Sequence, residues 1–200
     1  MERLFTPMLD WCFPPRSDEV LVRSCTTTNV ELTPRIVDGV VVLLQYETPR
    51  VRALIHEAKF YNNRQAQTLL AHILQQYISP IGGTCLIIPV PISRARKQKR
   101  GYNQITAICK RLPVLRRRLT TGILRKSKHT APQTSLTRAD RLTNVRDAFT
   151  VPAGATVREN QIYILVDDVL TTGATMDAAR ATLALQLPKS SQLICVALAH

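Results

Sequence analysis

Acid is missing from the middle of this chain. From Ala58 to Ala139 there is no Asp or Glu, while sixteen Lys and Arg fall there. The rest holds eleven basic and fourteen acidic residues, so the middle segment supplies the whole net charge of +13. Such asymmetry points to a polyanionic partner, a pyrophosphate at small scale or a nucleic acid at large scale. A solvated basic face is the plainer alternative. Aromatics are scarce too, at 5%, so base-stacking platforms are few and phosphate contacts would dominate any nucleic-acid binding. Paired cysteines are lacking. Cys12, Cys25, Cys85, Cys109 and Cys195 are odd in number and scattered, with no C-x-x-C pair, which argues against a zinc site or a disulfide framework. His56, His72, His129 and His200 share no ligand spacing, and no metal site is assigned. No apolar run approaches the ~20 residues of a membrane span, so no membrane insertion is expected. The patch around Glu2 and Asp10 is not a signal peptide, and the default location is the cytoplasm.

What is present is a globular chain of 200 residues, 45% apolar, enough for one domain with a short appendage. Residues 1–34 read as an N-terminal arm, broken by Pro7, Pro14, Pro15 and Pro34 and anchored through Trp11 and Phe13. Residues 35–200 read as the domain. A β-branched run predicts one strand from Ile36 to Tyr46, and Pro49 suits the first turn of a helix ending near Lys59-Phe60. A second helix is predicted from about Asn63 to Tyr77, then a buried strand from Cys85 to Val90. The cations Arg94 to Arg100 read as a loop, and Gly101-Tyr102-Asn103-Gln104 opens a helix with Ile105, Ile108, Cys109 and Leu112 inward. Asn103 and Gln104 are either caps of that helix or ligand contacts. Further strands are expected at Leu119–Leu124, Ile162–Val166 and Leu193–Leu198, with a helix from Met176 to Leu187. Strand–helix alternation of this kind implies an α/β fold, a mainly parallel sheet with helices on both faces.

The densest chemistry lies in Tyr163-Ile164-Leu165-Val166-Asp167-Asp168-Val169-Leu170-Thr171-Thr172-Gly173-Ala174-Thr175. An apolar strand delivers two acids to the mouth of the sheet, and a Thr- and Gly-rich turn opens a helix. Turn N–H groups and the helix dipole favour a phosphate there, with Thr171, Thr172 and Thr175 adding hydroxyls and Gly173 allowing close approach. Asp167 and Asp168 would repel that phosphate, so they are expected to accept hydrogen bonds from sugar hydroxyls, with Mg²⁺ nearby. An ordinary strand–turn–helix with an Asp cap is the alternative. The stretch resembles the phosphoribosyl pyrophosphate (PRPP) loop of type I phosphoribosyltransferases. The resemblance implies that the two acids bind the ribose hydroxyls and that Thr171, Thr172, Gly173, Ala174 and Thr175 bind the 5′-phosphate.

Three more segments join this one: Lys59-Phe60; Pro89-Val90-Pro91 with Arg100-Gly101-Tyr102-Asn103-Gln104; and Thr130-Ala131-Pro132-Gln133 with Arg141, Asn144-Val145 and Ala148-Phe149. In order and spacing the four resemble the ComF family of competence-associated proteins. The resemblance implies a type I phosphoribosyltransferase core, binding of PRPP or a related ribose phosphate, and a part in DNA uptake beside DNA-uptake proteins. It also implies that Arg94 and Arg100 bind pyrophosphate, and that residues 125–144 form a loop closing over PRPP, with Lys126 and Lys128 its catalytic candidates beside His129. Transfer to a nitrogen nucleophile would then rest on positioning and charge, with Mg²⁺ as cofactor. Many relatives carry an N-terminal zinc module after an apolar-Phe-Pro-Pro motif. Here Phe13-Pro14-Pro15-Arg16 is present, but Ser17 and Val20 stand where the first cysteine pair belongs, so no zinc is expected. The rival reading is a non-catalytic module that binds single-stranded DNA through Arg96, Lys97, Lys99, Arg116, Arg117 and Arg118 in the basic segment 58–139.

Overall fold

The computed structural model describes residues 14–81, 85–114, 118–127 and 148–200. A five-stranded sheet is its centre, in the order β1 (Arg35–Val37), β2 (Val40–Leu44), β7 (Gln192–Ala199), β6 (Ile162–Val169), β3 (Cys85–Pro89). β1 and β2 form an antiparallel hairpin at one edge. This corrects the expectation of one strand from Ile36 to Tyr46. Asp38 and Gly39 both take positive φ, 49° and 73°, the two-residue turn whose twist suits a hairpin. Strands β3, β6 and β7 continue the sheet in parallel. The expected strand at Leu119–Leu124 shrinks to one bridge, Leu119 beside Ile87. A two-residue strand β4 (Arg125–Lys126) instead pairs antiparallel with β5 (Phe149–Thr150).

Strand side chains alternate in direction, and both sheet faces are covered. Ile87, Ile164, Val166, Val196 and Leu198 pack on one face beneath four helices. These are α1 (Ser17–Ser24), α2 (Pro49–Phe60), α3 (Arg64–Ile78) and α5 (Gln104–Cys109). Ile88, Tyr163, Leu165, Cys195 and Ala197 pack on the other, against α6 (Ala174–Ala184) and Phe149. Burying each of these large side chains contributes roughly 1.5–3 kcal/mol, so the two-sided core fixes the register and hence where the strand ends lie. Helix α2 starts with Pro at N1, and α3 is capped by Asn63, whose side chain accepts from the Ala66 N–H at 3.1 Å.

The basic run Arg94 to Arg100 is a helix, α4 (Arg94–Arg100), not a loop. Ser93 caps it by accepting from the Arg96 N–H, and Gly101 ends it at φ 84°. Lys, Arg, Gln and Ala favour helix strongly enough to form one with no buried residue. The described part of the arm is fastened by a buried clasp. Arg16 donates to both Glu57 carboxylate oxygens, at 3.0 and 2.9 Å, and Asn63 donates to the same group at 3.1 Å. Glu57 is fully buried, so its charge depends on these partners. Trp11 and Phe13 lie outside the described residues.

Candidate phosphate and ribose site at the carboxyl end of the sheet

The loops after β3 and β6 meet at neighbouring strand ends, the position where open α/β sheets hold ligands. Strand alternation sends the two acids of β6 to opposite faces. Asp167 shares its side with Tyr163 and Leu165, and there it lines a small, open cup with Val169, Thr171 to Thr175 and Ala197. The turn is held to the sheet where the Leu170 N–H donates to the Ala199 carbonyl at 2.9 Å. Gly173 is the N-cap of α6, with φ 75°, which turns the chain so that the helix begins at Ala174, two residues before the expected Met176. Thr171, Thr172 and Thr175 are exposed around the cup. Asp177, in the first turn of α6, has its charge answered by Arg180 at 2.7 Å.

Asp168 has a different setting. It faces α2 and α5, with only 8% exposure. Its Oδ2 lies 3.2 Å from Lys59 Nζ and accepts from Gln104 Nε2 at 2.8 Å. Its Oδ1 accepts from the Val169 N–H at 2.9 Å. Gln104 is buried in turn, and its amide oxygen accepts from Arg100 Nη1. A chain of contacts therefore runs Lys59–Asp168–Gln104–Arg100 along the strand ends. The expectation that both acids stand at an open mouth is corrected: Asp168 is inside, because its side of the strand is roofed by α2 and α5.

The rest of the Arg100–Gln104 motif serves the same junction. Gly101 supplies the left-handed end of α4. Tyr102 donates through its hydroxyl to the Ala58 carbonyl at 2.8 Å and accepts from the Asn62 N–H at 3.0 Å, holding the end of α2 where Lys59 sits. Asn103 donates to the Val90 carbonyl at 2.9 Å while its side-chain oxygen caps α5. The two polar residues at the start of α5 have different protein partners. Asn103 is the cap; Gln104 is the partner of Asp168.

Charge follows this geometry. Burial first, and the charge of Asp168 second, push the Asp167 carboxyl well above its usual range, with Lys59 pulling the other way. Burial first, then Arg96, lower the Lys126 ammonium, while Asp167 opposes that shift. Lys126 thus lies near enough to both Arg96 and Asp167 to feel their charges, and it sits 5.1 Å over the Phe149 ring.

Of the residues expected from the sequence, Asp167, Thr171, Thr172, Gly173, Ala174 and Thr175 gather in one cup. Arg100 joins through Gln104, and Lys126 reaches the same edge from β4. Arg94, Arg96, Lys97 and Lys99 are exposed on α4. Arg118 does not extend that surface. It donates to Cys85 Sγ at 3.2 Å, at the start of β3, whereas α4 follows the strand's other end. Arg116, Arg117, Lys128 and His129 lie outside the described residues, as do Thr130 to Asn144. Sequence reasoning missed the roles of Lys59 and Gln104 as partners of Asp168. Their signal was the motif itself, two polar residues at places the helical pattern turns inward.

No family model matches the chain. Among curated relatives, it is 31% identical over 152 residues to "Competence protein F" of Haemophilus influenzae, covering 70% of this chain and 64% of that one. It is 29% identical over 135 residues to "DNA utilization protein YhgH" of Escherichia coli O6:H1, covering 64% and 58%. The Salmonella typhi protein of the same name matches at 29% over 136 residues, covering 64% and 59%. The chain thus spans somewhat under two thirds of the length of these relatives. Agreement between these matches and the four motif segments is what identifies it: the chain belongs to the ComF family.

Proposed function

We infer that the chain binds PRPP or a related ribose phosphate on a type I phosphoribosyltransferase core, and that it serves in DNA uptake. The observation that carries the ligand is the cup, where an acid at a strand end faces a Thr-rich turn opening a helix. The 5′-phosphate would take the turn N–H groups and the hydroxyls of Thr171, Thr172 and Thr175. Asp167 would accept from the ribose hydroxyls, with Asp168 setting its position from behind. Arg100, with Arg94 on the same helix, would take the pyrophosphate, where a planar fork grips two oxygens. Mg²⁺ would ride on the pyrophosphate oxygens; among the described residues no group of three or more His, Cys, Asp or Glu forms a cage of its own. That ion would neutralise charge on the leaving group.

In the transfer reaction an acceptor nitrogen bonds to C1 of the ribose as the C1–oxygen bond breaks. The electron pair leaves with pyrophosphate, and the nitrogen's proton passes to solvent. No protein nucleophile is required, so the work falls to positioning and to charge. Lys126, whose ammonium is lowered by burial and which feels the charge of Asp167, would meet the leaving pyrophosphate. The role in DNA uptake is supported by the names of the relatives, a competence protein and DNA utilization proteins.

Calorimetric titration with PRPP and Mg²⁺, with ribose 5-phosphate and with 2-deoxyribose 5-phosphate tests the site. PRPP is expected to bind tightest, and loss of the 2-hydroxyl to weaken binding about 5- to 100-fold. Equal binding of both sugars would remove Asp167 from the ribose. Release of pyrophosphate in the presence of purine and pyrimidine bases tests turnover.

A further inference from the structure

Beside the site lies the feature that the composition argues against. Phe60 and Tyr61, at the end of α2, are 55% and 47% exposed. His56, one turn back, sets its ring 5.0 Å from Phe60 and 5.6 Å from Tyr61. Cations frame the pair. The Arg100 guanidinium is 5.4 Å from the Phe60 ring centre, Lys59 Nζ is 5.8 Å from it, and Arg16 lies 3.7 Å over Tyr61. From Arg100 the charge continues along α4, where Arg94, Arg96, Lys97 and Lys99 stand exposed. None of these four, nor Arg100, forms an ion pair among the described residues. The acids of this region already have partners: Asp168 pairs with Lys59. Glu19 and Glu57 hold Arg16, and Asp18 lies 2.7 Å from His56.

We propose that Phe60 and Tyr61 form a stacking platform for unpaired bases of single-stranded DNA, whose phosphates follow the basic face of α4. The two halves of the surface ask for one partner. Five cations without carboxylate partners, on a segment free of acid, call for a polyanion. Exposed rings at the end of that rail call for flat apolar faces beside the charge. A duplex supplies phosphates but hides its base faces, and an acidic peptide supplies charge without rings. A single strand supplies both, because every base has a face to stack and every linkage a phosphate. Arg16 already covers one side of Tyr61, so Phe60 is the more open ring. The platform lies outside the cup, while the rail shares Arg94 and Arg100 with the proposed pyrophosphate contacts.

The test is an anisotropy titration of a labelled oligothymidylate, of the same strand with abasic sites at its centre, and of a duplex, across a range of salt. Wild type should prefer the single strand. Phe60→Ala should weaken binding by about 5- to 150-fold, the range for losing one stacked base, with an unchanged salt slope. Phe60→Trp should restore it. Lys97→Gln with Lys99→Gln should instead flatten the slope, by about 0.7 in log K per log salt for each phosphate no longer neutralised. On the abasic strand, Phe60→Ala and wild type should bind alike. Because Phe60 is mostly exposed, its substitutions should leave the melting temperature in place, which separates lost stacking from lost fold. Absence of strand binding by wild type, duplex binding as tight as single-strand binding, or equal losses for Phe60→Ala on intact and abasic strands would each overturn the platform.

Discussion

Asp167 and Asp168 are neighbours in sequence and opposites in setting. One faces the cup on the α6 side, with its proton held more firmly by burial and by the acid next door. The other faces α2 and α5, with Lys59, Gln104 and a backbone N–H already using its oxygens. The cause is the period of two along a strand, which sends successive side chains to opposite faces. An acid pair on a strand end is thus two single acids, one available to a ligand and one built into the frame. Removing each in turn is the direct way to break the comparison. Asp168→Ala leaves Lys59 half-buried without its partner and strands the Gln104 amide, and it should cost about 2–4 kcal/mol in urea denaturation. Asp167→Ala removes a desolvated acid that makes no ion pair among the described residues and that accepts from the Asp168 N–H at 2.9 Å, and it should cost less, about 0–1 kcal/mol. Equal losses for the two variants would mean that the strand faces are less distinct than their partners indicate.

The ligand side should reverse that ranking. If Asp167 receives the ribose hydroxyls, Asp167→Asn should weaken PRPP binding by about 1–3 kcal/mol, the scale of charge-assisted hydrogen bonds. Gln104→Leu tests the frame instead. It cuts the tie between Asp168 and Arg100 without touching the cup, so affinity for PRPP should fall while affinity for ribose 5-phosphate holds. A parallel loss for both ligands would show that Gln104 supports the cup as a whole rather than the pyrophosphate side.

A pH series sharpens the same contrast. Asp167 has a folded value raised above its ordinary one of about 4. Its contribution to stability is therefore complete below the ordinary value and is lost as pH rises through the raised one. Wild-type stability should decline from about pH 4 toward neutrality, and Asp167→Asn should flatten that part of the curve. A wild-type curve with no such decline would return the Asp167 carboxyl to the ordinary range.

Much of this arrangement was legible in the sequence, and the rest was not for identifiable reasons. The strand from Ile162, the helix after Gly173 and helices α2 and α3 follow from apolar runs and periodicity, which report burial directly. Asp38-Gly39 was a readable hairpin signal, masked by the β-branched residues on both sides that continue one another's pattern. Helix α4 left no periodic trace because it buries nothing; only Ser93 before it and Gly101 after it marked its ends. The pairing of Asp168 with Lys59 and Gln104 spans 109 and 64 residues of chain, and no local pattern encodes a contact made by folding two helices over one strand end. The difference between the two acids, by contrast, was within reach. Alternation predicts it as soon as the strand is drawn through Val169 rather than stopped at Val166.

Two glycines give the finest version of the comparison. Gly173 opens the cup at φ 75°, and Gly101 ends α4 at φ 84°. A Cβ on Gly173 would meet Asp177 Oδ2 at 3.5 Å and Leu170 Cδ1 at 3.9 Å, both ordinary contacts, and one on Gly101 would meet nothing within 4 Å. Neither site is closed by packing, so replacement by Ala incurs only the left-handed backbone penalty, about 1–2 kcal/mol in each case. Stability alone should then fail to tell them apart. Ligand binding should separate them, because Gly173 sets the direction of the turn N–H groups that would hold a phosphate, whereas Gly101 sets the exit of a helix. Gly173→Ala should lower affinity for ribose 5-phosphate, and Gly101→Ala should leave it within error of wild type. Matching affinities in the two variants, at matching stability, would mean that the phosphate is not held by the turn at Gly173.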